Sequence, residues 1–232
     1  MVAATLRQGY IMTQPKSIEK NEREIVIPAD AVHLQGILGL PFRAKGIVVF
    51  AHGSGSGRFS PRNNFVARIL QDAGIATLLA DLLEESEALN RRNVFDIDLL
   101  ADRLLANTHW LRQQPETQRM VIGYFGASTG AAAALQAAAR DPREIAALVS
   151  RGGRPDLAME YLHLVQAPTL LIVGGDDEPV IPLNETACAR LTCPKELVIV
   201  PGATHLFEEP GALEKVAHLA CDWFMKYFLS QV

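Results

Sequence analysis

The sequence has few cysteines, no long apolar run and no large excess of charge of either sign. Its three cysteines, Cys188, Cys193 and Cys221, are an odd number without the spacing of metal ligands, so we expect reduced thiols and no metal site. The formal net charge of −4 offers no basic surface to nucleic acid or to an anionic membrane. No apolar run approaches the ~20 residues that a membrane span requires.

The amino terminus, MVAATLRQGY, lacks a cationic start, an apolar core and a small-residue cleavage site, so we expect a cytoplasmic protein. Residues 1–22 are mixed and polar, which predicts a flexible tail. Residues 23–232 suit a single domain, because a chain of 232 residues that is 49% hydrophobic and 21% charged can bury a sizeable core.

The most informative segment is RMVIGYFGASTGAAAALQAAAR, residues 119–140. Its apolar run from Met120 to Phe125 predicts a short buried strand. Gly126 to Gly130 then reads G-x-S-x-G, and an alanine-rich segment of high helix propensity follows. A Gly/Ser turn is the simplest interpretation of this pattern. However, strand, sharp turn and helix together are the context of a nucleophile elbow, so we predict that Ser128 is a nucleophile.

Apolar segments alternate with helical patterns along the rest of the chain. We predict strands at 24–28, 32–40, 46–51, 75–80, 145–150, 169–173 and 196–200, the first two as an antiparallel hairpin at a sheet edge. We predict further helices at 61–73, 93–112, 157–164, 183–191 and 211–229. Most of the strands are apolar throughout, which is typical of a mainly parallel, twisted sheet with helices on both faces.

Polar groups follow several of these strands. The loop HGSGSG after strand 46–51 lacks the phosphate-binding and dinucleotide patterns, so we expect its backbone N–H groups to face a developing oxyanion. Asp176, Asp177 and His205 each come shortly after a predicted strand, as Ser128 does. Because functional groups collect beyond the carboxyl ends of parallel strands, these side chains should meet at one edge of the sheet.

The order Ser, Asp, His on this pattern resembles the α/β-hydrolase fold, and within it the dienelactone hydrolase-like branch. The segments that carry the resemblance are VVFAHGSGSG, GYFGASTG, LLIVGGDDEPV and PGATHLFEEPG, and it extends over about residues 24–228. Dienelactone hydrolases proper use a cysteine nucleophile, whereas position 128 is serine. The resemblance therefore implies the fold but not the dienelactone substrate, and a general carboxylic ester hydrolase is the more natural expectation.

The resemblance implies acyl transfer, in which Ser128 attacks a carbonyl carbon and His205 accepts its proton. The residues alone leave Asp176 and Asp177 open as the carboxylate that orients the imidazole. The family pattern Gly-x-x-Asp-x-x-Val matches Gly174, Asp177 and Val180, so it favours Asp177.

The resemblance also implies that the backbone N–H groups of Thr129 and Ser54 hold the oxyanion and that His52 braces the loop. The segment 150–168 has room for one small helix only, so we expect a minimal lid or none. The chemistry requires neither a metal nor an organic cofactor.

Four arginines follow strands at the same edge, namely Arg58, Arg62, Arg151 and Arg154. They either line the rim of the site, which would favour an anionic small-molecule substrate, or pair with nearby carboxylates. The triad is also compatible with thioester, amide or carbon–carbon bond hydrolysis, and the fold with a non-catalytic binding module. The sequence leaves the natural substrate and the oligomeric state open.

Overall fold

The fold is built on one eight-stranded sheet. The structure, a computed structural model, describes residues 21–230. The strands are β1 Asn21–Ala29, β2 Val32–Leu40, β3 Gly46–Ala51, β4 Ala76–Ala80, β5 Val121–Ala127, β6 Ile145–Arg151, β7 Thr169–Gly174 and β8 Lys195–Val200. Their order is β1-β2-β4-β3-β5-β6-β7-β8, in which β1, β2 and β4 pair antiparallel and β3 to β8 are parallel. The predicted mainly parallel sheet is confirmed.

Helices cover both faces of this sheet. They are α1 Pro61–Asp72, α2 Glu85–Ala88, α3 Arg91–Val94, α4 Ile97–Gln113, α5 Thr129–Arg140, α6 Ile181–Arg190 and α7 Ala212–Leu229. Helices α1 and α7 pack together on one face, whereas α4, α5 and α6 share a hydrophobic core on the other. Because both faces are covered, every residue of β3, β4 and β7 is buried, which explains their continuous apolar sequence.

The predicted edge hairpin is confirmed. Strands β1 and β2 pair from Asn21↔Leu40 to Ala29↔Val32, and the chain reverses at Asp30, whose φ of 54° lies in the left-handed region that aspartate tolerates. The predicted tail, residues 1–22, falls outside the described residues except for its last two, which already belong to β1.

Two segments differ from their predicted structure. The single helix predicted for 157–164 is wrong, because this stretch contains parts of two short 3₁₀ helices, Pro155–Ala158 and Leu162–Leu164. The helix predicted from 93 begins at Ile97, and the acidic segment before it forms α2 and α3. The link between β6 and β7 therefore carries no inserted lid, as expected, and α2 and α3 form a rim that was not predicted.

Candidate active site

The strand, turn and helix predicted around Ser128 are confirmed. Ser128 lies between the last residue of β5 and the first residue of α5, with φ 52° and ψ −121°, a strained conformation for a residue with a side chain. Only glycine fits at positions 126 and 130, two residues before and after Ser128. A Cβ on Gly126 would lie 2.4 Å from Ala131 Cα, and one on Gly130 would lie 2.1 Å from the carbonyl oxygen of Ala51. The sequence G-x-S-x-G is therefore a steric requirement of this turn.

His205 and Asp177 form a hydrogen-bonded pair at the same edge of the sheet. The distance from His205 Nδ1 to Asp177 Oδ2 is 2.7 Å. The Asp177 residue is 8% exposed, whereas its neighbour Asp176 is exposed to solvent. Of the two aspartates that the residues left open, the structure therefore places Asp177 against the imidazole. No hydrogen bond within residues 21–230 engages His205 Nε2, the ring nitrogen on the side away from the carboxylate.

Gly152 lies between the serine and the histidine. Its neighbour Arg151 accepts a hydrogen bond from the Ser128 N–H through its carbonyl oxygen at 3.3 Å. A Cβ on Gly152, which has φ 51°, would lie 3.4 Å from His205 Nδ1. The Ser128 hydroxyl is half-buried and has no hydrogen-bond partner among the described residues. Both the Ser128 hydroxyl and His205 Nε2 are therefore without a hydrogen-bond partner among the described residues.

His52 braces the loop that follows β3. The Leu82 N–H donates to His52 Nε2 at 3.0 Å, so the proton lies on Nδ1, which donates to the Gly53 carbonyl oxygen at 3.0 Å. Burial lowers the pKa of His52 below its ordinary value, which keeps the ring neutral in this role. The structural role expected for His52 agrees with these contacts.

The loop after β3 lies against the nucleophile. A Cβ on Gly53 would lie 3.0 Å from Ser128 Cβ. The next N–H, that of Ser54, donates to the Thr129 hydroxyl at 3.0 Å. The Thr129 N–H belongs to the first turn of α5, where backbone N–H groups have no acceptor within the helix. The two predicted oxyanion donors thus meet beside Ser128, although the Ser54 amide is engaged by the Thr129 side chain, which sequence reasoning missed.

A cavity of about 1160 Å³ extends from Thr129 and the loop after β3 toward α2 and α3. Its apolar lining comes from Phe59, Leu83, Ala88, Leu89, Val94 and Leu100. Its carboxylates are Asp81, Glu84 and Glu85. The rim helix α2 begins at a reciprocal contact in which the Glu84 N–H donates to the Glu87 carboxylate at 3.0 Å. Glutamate at the N-cap departs from the usual Ser/Thr-x-x-Glu/Gln signature, so no sequence pattern predicted this helix.

Three of the four candidate arginines are paired with carboxylates. Arg58 forms an ion pair with Asp81, Arg62 lies 2.7 Å from Glu208, and Arg154 binds Asp156 through two hydrogen bonds of 2.9 and 2.8 Å. Of the four, only Arg58 lines the cavity, with its guanidinium 4.3 Å from the centre of the Phe59 ring.

Arg151 is the exception among the arginines. It is 7% exposed, and its Nε and Nη1 have no hydrogen-bond partner among the described residues. Burial, and to a smaller extent the charge of Arg62, lowers the pKa of Arg151 to about 10. Its guanidinium carbon lies 5.9 Å from the centre of the Phe207 ring, close behind His205 in the sequence.

Residues 21–230 contain no cluster of three or more His, Cys, Asp or Glu side chains that could hold a metal ion. In the same range, no helix is long and apolar enough to cross a membrane.

Comparison with known proteins identifies a family and similar folds. The model of the dienelactone hydrolase family matches residues 34–231. A crystal structure of dienelactone hydrolase from Anabaena variabilis is 56% identical, with a TM-score of 0.88 over 90% of this chain and 99% of that one. Est1E from Butyrivibrio proteoclasticus is 18% identical over 88% of this chain and 98% of its own, with a TM-score of 0.76, and supports the fold alone.

A curated relative from Mycobacterium tuberculosis (strain H37Rv) carries the provisional name phosphoribosyl transferase. It is 58% identical over 207 residues, which are 89% of this chain and 46% of the relative. The chain thus spans about half the length of the curated relative it matches.

Proposed function

The chain belongs to the dienelactone hydrolase family, and from that premise we propose that it is a serine hydrolase that cleaves carboxylic esters through an acyl-enzyme on Ser128. The family and its solved members support a hydrolase. The name of the Mycobacterium tuberculosis relative refers to a protein more than twice as long as the matched segment. We therefore assign the function of this chain from its own site.

The hydrogen bond between His205 and Asp177 carries the proposal. At 2.7 Å, the carboxylate of Asp177 holds the Nδ1–H of the ring and leaves Nε2 with its lone pair. A solvent-facing loop histidine would not need a buried carboxylate behind it. The strained Ser128 follows β5, two strands from the one before Asp177 and three from the one before His205, and it provides the matching nucleophile.

The proposed reaction has two steps that restore the enzyme. Ser128 Oγ attacks the ester carbonyl carbon while its proton passes to His205 Nε2, and the protonated imidazole is stabilised by Asp177. As the tetrahedral intermediate collapses, the bond to the leaving alkoxide breaks and Nε2 returns the proton to it. Water then gives a proton to Nε2 and attacks the acyl carbon. Release of the carboxylic acid product returns the proton to Ser128 Oγ.

The cavity beside the nucleophile is lined by Thr129 and the loop after β3 but not by Ser128, Asp177 or His205, so it suits a bulky, uncharged group of a substrate rather than the reacting carbonyl itself. Its volume of about 1160 Å³ is above the ~300–1,000 Å³ of common ligand pockets, and Phe59 and five aliphatic side chains form its apolar part. Asp81 neutralises the charge of Arg58. The carboxylates of Glu84 and Glu85 therefore remain as the unbalanced charges of the cavity. An ester carrying a free carboxylate should therefore show a lower kcat/KM than an uncharged ester of equal size. A preference for the carboxylate ester would instead favour the hypothesis of an anionic substrate, which the four arginines suggested.

Labelling with a fluorophosphonate probe tests the proposed function directly. The wild-type protein should become labelled at Ser128 and should hydrolyse p-nitrophenyl acetate, whereas Ser128→Ala should lose both properties. Ser230→Ala, at the end of α7, is a suitable control that should behave like the wild type. Absence of labelling and of hydrolysis in a folded wild-type protein would support the non-catalytic binding module. Labelling without ester turnover would point to thioester, amide or carbon–carbon bond cleavage.

The three cysteines are free thiols in the structure. Since free thiols persist in reducing compartments, we also propose a cytoplasmic location.

A further inference from the structure

The hydroxyl group of Thr129 occupies an unusual place in the site. Thr129 is the first residue of α5, directly after the nucleophile, and is 4% exposed. Its oxygen accepts the hydrogen bond from the Ser54 N–H at 3.0 Å. The same residue lines the cavity that extends from the loop after β3. The hydroxyl thus stands between one predicted oxyanion donor and the space that a substrate would fill.

Within residues 21–230, the proton of this hydroxyl has no acceptor. A threonine hydroxyl has one O–H donor and two acceptor positions. The bond from Ser54 uses one acceptor position and is the only hydrogen bond of this side chain within residues 21–230. Buried donors are nearly always satisfied, because an unpaired one costs about 1–3 kcal/mol. The O–H group of Thr129 is therefore available to donate a hydrogen bond to a group in the cavity.

We infer that the Thr129 hydroxyl is an oxyanion donor, and that the Ser54 amide supports it. The inference rests on the proposed serine hydrolase function. A donor N–H on the hydroxyl oxygen polarises the O–H bond and makes its proton a better hydrogen-bond donor. In this arrangement the Thr129 N–H and O–H both donate to the oxygen that becomes negative when Ser128 attacks. These fixed dipoles stabilise the transition state more than the neutral carbonyl of the substrate.

A competing arrangement makes the opposite prediction. In it, the Thr129 oxygen only occupies the Ser54 N–H in the resting protein, and the substrate oxygen must displace it before reaction. Removing the hydroxyl would then free the Ser54 amide and leave kcat unchanged or higher. In the inferred arrangement, removing it takes away a donor and lowers kcat.

Thr129→Val separates the two arrangements, because valine keeps the size and branching of threonine and lacks only the hydroxyl. We expect kcat for a p-nitrophenyl ester to fall on the order of 10²-fold, the loss typical of one oxyanion donor, with KM nearly unchanged. Thr129→Ser restores the hydroxyl and should keep kcat within several-fold of the wild type. Thr186→Val, on the exposed surface of α6, is the matched control and should have no effect.

Inhibitor binding provides a readout that a purely structural role would not change. A trifluoromethyl ketone forms a tetrahedral oxyanion on the serine, so Thr129→Val should weaken its binding in parallel with the loss of kcat. Binding of a planar ester analogue that does not react should stay the same. If Thr129→Val melts well below the wild type, Thr129→Ala and Thr129→Ser give the same comparison, since alanine has a high helix propensity.

The outcomes separate this inference from the proposed function. A wild-type protein that hydrolyses esters and is labelled at Ser128, together with a Thr129→Val variant of equal or higher kcat, would overturn the inference alone. Equal losses in the Val and Ser variants would also overturn it, because shape rather than the hydroxyl would then matter. A wild-type protein without labelling or hydrolysis would overturn both.

Discussion

Exchange of the two neighbouring aspartates tests the orientation of His205. We predict that Asp177→Asn lowers kcat far more than Asp176→Asn. Asp177 is buried at 2.7 Å from His205 Nδ1, whereas Asp176 is exposed and no side-chain hydrogen bond of Asp176 is present among the described residues. The two variants carry the same chemical change one residue apart, so each is the control for the other.

The magnitude follows from the hydrogen bond that the new amide would make. An asparagine at 177 can donate its NH₂ to Nδ1, which places the ring proton on Nε2, where it blocks acceptance of the Ser128 proton. In the serine protease triad the same change costs about 10⁴-fold in kcat. That factor equals about 5.5 kcal/mol of transition-state stabilisation, since each tenfold corresponds to about 1.36 kcal/mol. We expect Asp177→Asn to approach this loss and Asp176→Asn to remain within a few-fold of the wild type.

The assay is hydrolysis of p-nitrophenyl acetate, with the concentration of active sites measured by burst titration. Melting temperatures show whether each variant is folded. Because asparagine has nearly the same shape as aspartate, both variants should remain folded. Equal losses in the two variants, or a larger loss in Asp176→Asn, would refute the assignment of the carboxylate.

Three further predictions concern the nucleophile, the elbow and the loop. Ser128→Ala and His205→Ala should each remove nearly all esterase activity, and the double variant should be little worse than either single variant. Steady-state kinetics would measure these losses, and additive losses would contradict a joint role. Gly130→Ala places a Cβ 2.1 Å from the Ala51 carbonyl oxygen, so the free energy of unfolding measured in urea should fall by about 3 kcal/mol or more. An unchanged free energy of unfolding would contradict this close packing. The lowered pKa of His52 means that its contribution to stability is complete above its unfolded pKa of 6.5 and is lost as pH falls below it. Between about pH 7.5 and about pH 5, the melting temperature of the wild type should therefore fall by more than that of His52→Gln. Equal falls would show that protonation of His52 does not cause the loss of stability.

Local sequence patterns were enough to predict most of the elements and the elbow. A continuous apolar run identifies a strand that is buried on both faces, and this signal lies within the strand itself. The strained turn at Ser128 needs glycine at 126 and 130, so residues close to Ser128 in the sequence are enough to identify the turn. The edge hairpin was predicted for the same reason, since both of its strands and its turn are contiguous in the sequence.

Other features depended on segments that meet only in the folded chain. The partner of Arg58 lies 23 residues away at Asp81, and that of Arg62 lies 146 residues away at Glu208. No local pattern distinguishes such an ion pair from a free arginine at the rim of a site. The helix predicted at 157–164 is absent because Ala158 and Leu162 enter the core from two separate short 3₁₀ helices, whereas Leu157 and Leu164 are exposed, so no single helical face is buried.

The site shows the same division between local and distant information. The sequence by itself determined the strand, the elbow and the order of Ser128, aspartate and His205, because each belongs to a short motif. The residues alone left two aspartates open, and the family pattern favoured Asp177; the tertiary structure shows that Asp177 lies against the imidazole. Tertiary structure alone decided that the Thr129 hydroxyl meets the Ser54 amide across 75 residues. The physical reason is that a hydrogen bond forms or fails over a few tenths of an ångström. Distances of that precision are set by how the strands and helices pack.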